Sequence, residues 1–241
     1  MSSGIFFTAF FQPLYNLLIG LTALTGGSIG WAIVLVTVLI RIILYPLTHQ
    51  SLKAQQTMQK LQPMIGELKA KYKNNKEEFS KQLMQLYRQQ NVNPFSSCLM
   101  IGVQLPILWA LYRVFQEELG SGGIPDGILY SFIVAPSAST TLFLGVDLAT
   151  SSIALAVVAG AAQYLQARSL PHAPAPAPKD GAGRDEQMLT MMNKQMLYFF
   201  PVITVVIGST IPSGLTLYWA VSTFLLFLQQ WWAFRPSPQR A

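Results

Sequence analysis

The sequence predicts an all-α integral membrane protein with five transmembrane helices, a helical hairpin outside the bilayer and an N-terminal interfacial helix. Three observations carry this reading. Of 241 residues, 51% are hydrophobic and only 11% are charged, against roughly a quarter charged in soluble domains. Apolar windows of about 20 residues recur, each able to cross a hydrocarbon core of roughly 30 Å as a helix. These windows are too long and too unalternating for barrel strands, and lipid offers the backbone no hydrogen bonds, which leaves helices as the solution. Finally, Lys and Arg gather in alternate connections between the windows.

Residues 1–28 present Phe6, Phe7, Phe10, Phe11, Leu14, Leu17 and Leu18 on a broad apolar face, interrupted by Gln12, Pro13 and Asn16. This suits a segment lying in the outer interface, although residues 5–24 are also long enough for a sixth span. There is no basic n-region or small-residue cleavage site, so the segment is expected to belong to the mature chain. Span 1 covers residues 29–47.

Residues 48–96 turn polar. Apolar positions Leu52, Leu61, Met64, Ile65, Leu68 and Tyr72, then Phe79, Leu83, Leu86 and Tyr87, follow helical spacing. "KNNKEE" between the two stripes reads as the turn of an antiparallel helix pair, with Pro63 kinking or beginning a helix. The stripe accounts for a solvated pair; the excess of Lys also suits anionic headgroups or ribosomal RNA. Span 2 covers residues 97–116. Residues 117–149 form a loop, because Pro136 and the polar run 137–141 argue against another span. Span 3 covers 150–168. Within residues 169–194, "LPHAPAPAPKDGAGRDE" has almost nothing to bury and reads as a disordered linker. Spans 4 and 5 cover 195–211 and 213–233, and residues 234–241 form a short tail.

The basic residues orient the chain. Lys53, Lys60, Lys69, Lys71, Lys73, Lys76, Lys81 and Arg88 lie between spans 1 and 2; Lys179, Arg184 and Lys194 lie between spans 3 and 4; Arg235 and Arg240 are in the tail. The loop from Glu117 has Glu118, Asp126 and Asp147 and no Lys or Arg. The positive-inside rule places the basic segments in the cytoplasm, the loop and the N-terminus outside, and the whole in a plasma (inner) membrane.

Arg41 stands inside "WAIVLVTVLIRIILYPL". A charge near a helix centre costs roughly 2.5–3.5 kcal/mol on insertion scales. No Asp or Glu lies in any predicted span. The guanidinium therefore either snorkels toward the nearer boundary or sits in a hydrated groove. Gln104 and Gln163 lie at comparable depth; Thr37, one turn away on the face of Arg41, and Trp219 with Tyr218 lie further out. Each has a plain alternative as an interhelical bond or an interface anchor, but with Arg41 they point to a polar groove.

Catalytic sets are missing. His49 and His172 lie in connections, and no Ser/His/Asp set, acidic pair, HExxH or Walker lysine is present, so neither covalent catalysis nor a cofactor nor a metal is expected. Cys98 is the only cysteine, which excludes an internal disulfide.

The run from "RIILYPLTHQ" to "LWALYRVF" (residues 41–115), with "FLGVDL" before span 3 and "FPVITVVIGSTIPSGLTLYWAVST" at the end, resembles the YidC membrane protein insertases and their mitochondrial and chloroplast relatives. The resemblance implies a five-helix core around a hydrophilic groove, open to the cytoplasm and lipid and closed outside. Its groove arginine falls on Arg41, its threonine on Thr37, its aromatic pair on Tyr218 and Trp219, and its second-span glutamine on Gln104; Gln163 is a looser transfer. It implies insertion and chaperoning of nascent membrane proteins without nucleotide hydrolysis, by a monomer in contact with lipid, docking weakly to the ribosome and able to work beside the Sec translocon. "SSCLMIG" departs from the family pattern, with Met100 in place of a proline. A lipobox, a large periplasmic domain and a long basic tail are not expected here. The rivals are a small-solute or ion transporter with Arg41 as an anion site, which calls for internal repeats that are not seen, and an assembly subunit whose partner supplies a carboxylate to Arg41.

Overall fold

The computed structural model describes residues 4–73, 75–90, 96–120, 127–169 and 197–234. The expected linker with His172, the basic residues Lys179, Arg184 and Lys194, and the tail with Arg235 and Arg240 lie outside the described residues.

The chain opens with a π-helical turn, Phe7–Phe11, that runs into α1 (Gln12–Leu24). Pro13 in the first turn of α1 has no N–H and crowds the turn before it, and widening that turn to a π-helix accommodates the ring. α1 buries Tyr15, Leu18, Ile19 and Thr22, one stripe at helical spacing. Gly26 and Gly27 then reverse the chain at φ +68° and +88°. A Cβ at Gly27 would lie 2.3 Å from the carbonyl oxygen of Ala138, so only glycine fits there.

α2 (Ile29–Lys60) is a single helix of 32 residues, about 48 Å at 1.5 Å per residue. It carries no break at residue 47: Pro46 leaves the Ile42 carbonyl without its backbone partner, yet the helix continues. Its first half buries Ile29, Ala32, Ile33, Val36, Thr37 and Ile40, while Trp31, Leu35, Leu39, Ile42 and Ile43 are exposed. Phe7–Leu24 and Ile29–Lys60 are long and apolar enough to cross a membrane.

α3 (Gln62–Lys71), with Pro63 in its first turn, and α4 (Lys76–Gln89) form a hairpin. Asn75 caps α4, its Oδ1 accepting from the Glu78 N–H at 3.0 Å, with Glu77 and Glu78 favouring the positive end of the helix dipole. The hairpin has a core of its own, Leu61 and Leu86 with Met58, Ile65, Leu68 and Tyr87, separate from the main core.

α5 (Ser96–Gly120) packs Ile107, Ala110, Leu111, Val114 and Phe115 into the main core. Residues 127–152 contain no helix; β1 (Leu142–Phe143) and β2 (Val146–Asp147) pair antiparallel around Leu144 and Gly145, both at positive φ. This segment caps helix ends. Thr140 accepts from the Ile29 N–H at the start of α2, and Thr150 and Leu148 accept from the Ser213 and Gly214 N–H groups at the start of the helix Ser213–Ala233, satisfying donors that have no partner within a helix. Phe143 lies edge-on to Trp31, against Gly30. We call this the ribbon end of the molecule and the opposite one the hairpin end.

α6 (Ile153–Ser169), α7 (Leu197–Gly208) and α8 (Ser213–Ala233) complete the bundle. α6 meets α8 and α7 through Ala156, Ala159, Gly160 and Ala162; a Cβ at Gly160 would meet Val205 at 2.4 Å. Small residues allow this close approach, the usual device where lipid removes the hydrophobic drive between helices. At the hairpin end Gln56 donates to the Ala233 carbonyl at 2.8 Å and Ser169 donates to Gln230 at 2.7 Å, tying α2 and α6 to the end of α8. The outward faces carry Trp109, Val157, Val158, Phe200, Val202, Val206 and Phe224, all exposed. So much apolar surface calls for lipid, not water.

Candidate functional site

The site is built on α2, α5 and α8. Arg41 lies 12 residues into α2, about 18 Å from its start, and its Nε and Nη2 both donate to the Ser222 hydroxyl of α8, at 2.9 and 2.6 Å. One turn earlier on the same face of α8, Tyr218 accepts from Gln104 Nε2 of α5 at 2.8 Å. Tyr218 and Ser222 are 2% and 3% exposed. Two polar contacts thus join α2 to α8 and α5 to α8.

The electrostatics are one-sided. Among the described residues no carboxylate pairs with Arg41. A guanidinium has five N–H donors; two meet Ser222, and no other protein acceptor is bonded to Arg41 among the described residues. A hydrogen bond to a charged group contributes roughly 1.5–3 kcal/mol, which offsets most of the roughly 2.5–3.5 kcal/mol insertion cost. Ser222 makes the cation tolerable in the bundle without neutralising it. The remaining donors suit water or a carboxylate.

The other residues named from sequence divide. Thr37 is buried, but its hydroxyl donates to the Ile33 carbonyl of its own helix at 2.6 Å, so it lines α2 without joining the Arg41 contact. Trp219 is half-buried beside Tyr218. Gln163 is half-buried on α6, 3.4 Å from Gln166 of the same helix, and has no bond to the Arg41 set. Arg41, Gln104 and Tyr218 are brought together; Thr37 adjoins them; Gln163 stands apart.

Sequence reasoning missed two residues. Ser222 is one of several small polar residues in α8, and the only signal was its place one turn from Tyr218. Arg113 lies within the expected second span and was passed over: it is half-exposed, 3.9 Å from Glu117 and 5.9 Å from the Trp109 ring. It is nine residues beyond Gln104, about 13 Å along α5, and belongs to a different level. The clefts at the hairpin, one of about 350 Å³ lined by Met64, Glu67, Leu68, Lys71, Gln82 and Leu86 among others, lie on α3 and α4 and not at Arg41.

These features define a class: a helical membrane protein with an unneutralised cation on one apolar helix held by a hydroxyl of another. The sequence model of the family described as "60Kd inner membrane protein" matches residues 20–240. The membrane protein insertase YidC of Fusobacterium nucleatum is 37% identical over 205 residues, covering 85% of each chain. That of Pelobacter propionicus is 32% identical over 207 residues, covering 85% of this chain and 34% of its own. The solved structure of an active YidC insertase, with its first transmembrane domain resolved, superposes with a TM-score of 0.57 at 29% identity, covering 94% of this chain and 46% of that one. The chain belongs to the YidC family of membrane protein insertases. It spans most of the Fusobacterium relative but about a third of the Pelobacter one.

Proposed function

We propose that this chain inserts nascent membrane proteins through a hydrated groove between α2, α5 and α8, with Arg41 as its electrostatic lure. The observation that carries the reading is the Arg41 contact itself: a cation at mid-helix whose acceptor is a neutral hydroxyl. The polar, often acidic tail of a substrate enters the groove, trades its water for the free N–H donors of Arg41, and avoids hydrocarbon. Its adjoining apolar helix then slides into lipid along the exposed apolar faces. Hydrophobic transfer drives the step, aided for acidic tails by the membrane potential at about 2.3 kcal/mol per charge per 100 mV, so no nucleotide is needed and no bond is made or broken. Gln104 and Tyr218 hold the groove wall in register, Thr37 and Trp219 continue it toward the ribbon end, and Gln163 of α6 stands apart from these contacts.

In this reading α2, α5, α6, α7 and α8 are the five spans, with the ribbon end and the N-terminus outside and the hairpin in the cytoplasm. The helix from Phe7 to Leu24 lies in the outer interface, consistent with the bonds that Gln12 and Asn16 make to the ribbon-end segment. The Lys-rich hairpin docks weakly to the ribosome, and the chain works as a monomer, alone or beside the Sec translocon. The test is Arg41→Ala in reconstituted vesicles. Insertion of a substrate with an acidic tail is expected to fall by about tenfold or more, the factor that corresponds to losing roughly 1.4 kcal/mol; full activity on several such substrates overturns the electrostatic step.

A further inference from the structure

Asn16 is 2% exposed in the middle of an apolar helix. Its Nδ2 donates to the Ile128 carbonyl at 2.9 Å and to the Gln12 carbonyl at 2.8 Å, and its Oδ1 accepts from the Tyr130 N–H at 2.6 Å. Gln12 Nε2 adds a second donor to the Ile128 carbonyl at 3.1 Å. One carboxamide thus holds residues 128 and 130 as a neighbouring strand would, donating to one backbone group and accepting from the next but one.

The segment beyond is secured at its far end by Thr140, whose N–H and carbonyl bond Gly27 and Ile29. Between the two anchors Phe132 and Val134 are 75% and 78% exposed. Ile133 fills the space over Gly20 of α1 at 3.3 Å from where a Cβ would stand. Residues 128–140 therefore form a strap laid from α1 to the start of α2, fixed at both ends by polar bonds. Ile128, Leu129 and Ile133 add partly buried apolar contacts to the core, and the polar bonds exchange at small net cost once water reaches Asn16.

We propose that Asn16 is the latch of this strap: it closes the outer end of the groove, and it lets go when a substrate's polar segment leaves on that side. The proposal rests on the groove reading above. It makes Asn16 a positioning residue, acting through the backbone of residues 128–130 and not on the substrate.

The test uses the full chain in vesicles loaded with a pH-sensitive dye. Asn16→Leu keeps the side-chain size and removes all three bonds; proton permeability is expected to rise about tenfold, equivalent to roughly 1.4 kcal/mol in the balance of open and closed states. Gln12→Leu leaves the Asn16 bonds in place and is expected to raise it less. Cysteines at 16 and 130 in a Cys98→Ala background, once oxidised, hold the strap shut. Permeability then stays at the parental level while insertion of an acidic-tailed substrate falls about tenfold, recovering on reduction.

Parental permeability in Asn16→Leu overturns the latch, and undiminished insertion by the oxidised pair overturns its release. If Asn16→Leu fails to fold, Gln12→Leu and the oxidised pair decide the matter alone. Failure of the groove reading is distinct: Arg41→Ala then inserts normally, whatever the permeability of the Asn16 variant.

Discussion

At Arg41 the identity of the hydrogen-bond acceptor decides what the charge can do. A hydroxyl has two lone pairs for two N–H donors but no charge to cancel, so Ser222 steadies the side chain and leaves its field intact. Substituting a carboxylate at the same place reverses this. Ser222→Asp is expected to form an internal ion pair with Arg41, and breaking a buried pair costs about 3–5 kcal/mol. Insertion of acidic-tailed substrates should then drop at least about tenfold in a protein that remains folded and monodisperse, measured by protease protection in vesicles; unchanged insertion rules out a free guanidinium as the attracting group. Arg41 stands out in the sequence because a single charge interrupts an otherwise apolar run. Ser222 was not, since Ser213, Thr216, Ser222 and Thr223 are equivalent on paper until the packing of α8 selects the one facing α2. Asn16 and Gln12 were read only as interruptions of a hydrophobic stretch; that they bond a segment more than a hundred residues away is information that no local pattern contains.

At the scale of elements, proline and polarity punctuate the chain. Pro63 falls in the first turn of α3, and α8 occupies Ser213–Ala233. The helix that contains span 1 continues past residue 47 to Lys60, because a proline can be carried within a long helix when only one backbone bond is lost. The β1–β2 ribbon was unforeseen: two residues per strand are too few for an alternating pattern. The turn that follows β2 is braced by Asp147, whose Oδ1 accepts from the Ala149 N–H at 3.0 Å. A side-chain bond from Thr141, then the Ala149 N–H, hold its carboxyl below the ordinary range. A depressed carboxyl contributes stability that is present above its unfolded value, near about 4, and is lost as pH falls through the lower folded value. Hydrogen exchange at the Ala149 amide is therefore expected to speed up below about pH 4 beyond its intrinsic pH trend, and Asp147→Asn should show the faster exchange already at neutral pH; an amide indifferent to both changes sinks this account.

At the scale of the whole molecule, two cores coexist. The larger runs through α1, α2, α5 and α8, while the hairpin is held by Leu61 and Leu86 and their few neighbours. So small a cluster leaves most hairpin hydrogen bonds open to water, the mark of a unit that opens locally at low cost. In detergent, backbone amides of α3 and α4 are expected to exchange well before those of α6, α8 and the first half of α2, as read by mass spectrometry; equal protection throughout would show one cooperative unit instead. Burial raises the pKa of the Tyr87 hydroxyl above the usual tyrosine value by penalising the phenolate, so high pH is expected to loosen this same hairpin first. The two cores are nonetheless joined covalently and directly, because α2 belongs to both.

That continuity has a mechanical meaning. From Arg41 to Lys60 there is one continuous helix of about 28 Å, clasped near its far end where Gln56 donates to the Ala233 carbonyl at the end of α8. Whatever grips the hairpin in water holds the handle of the same lever whose short arm carries the guanidinium.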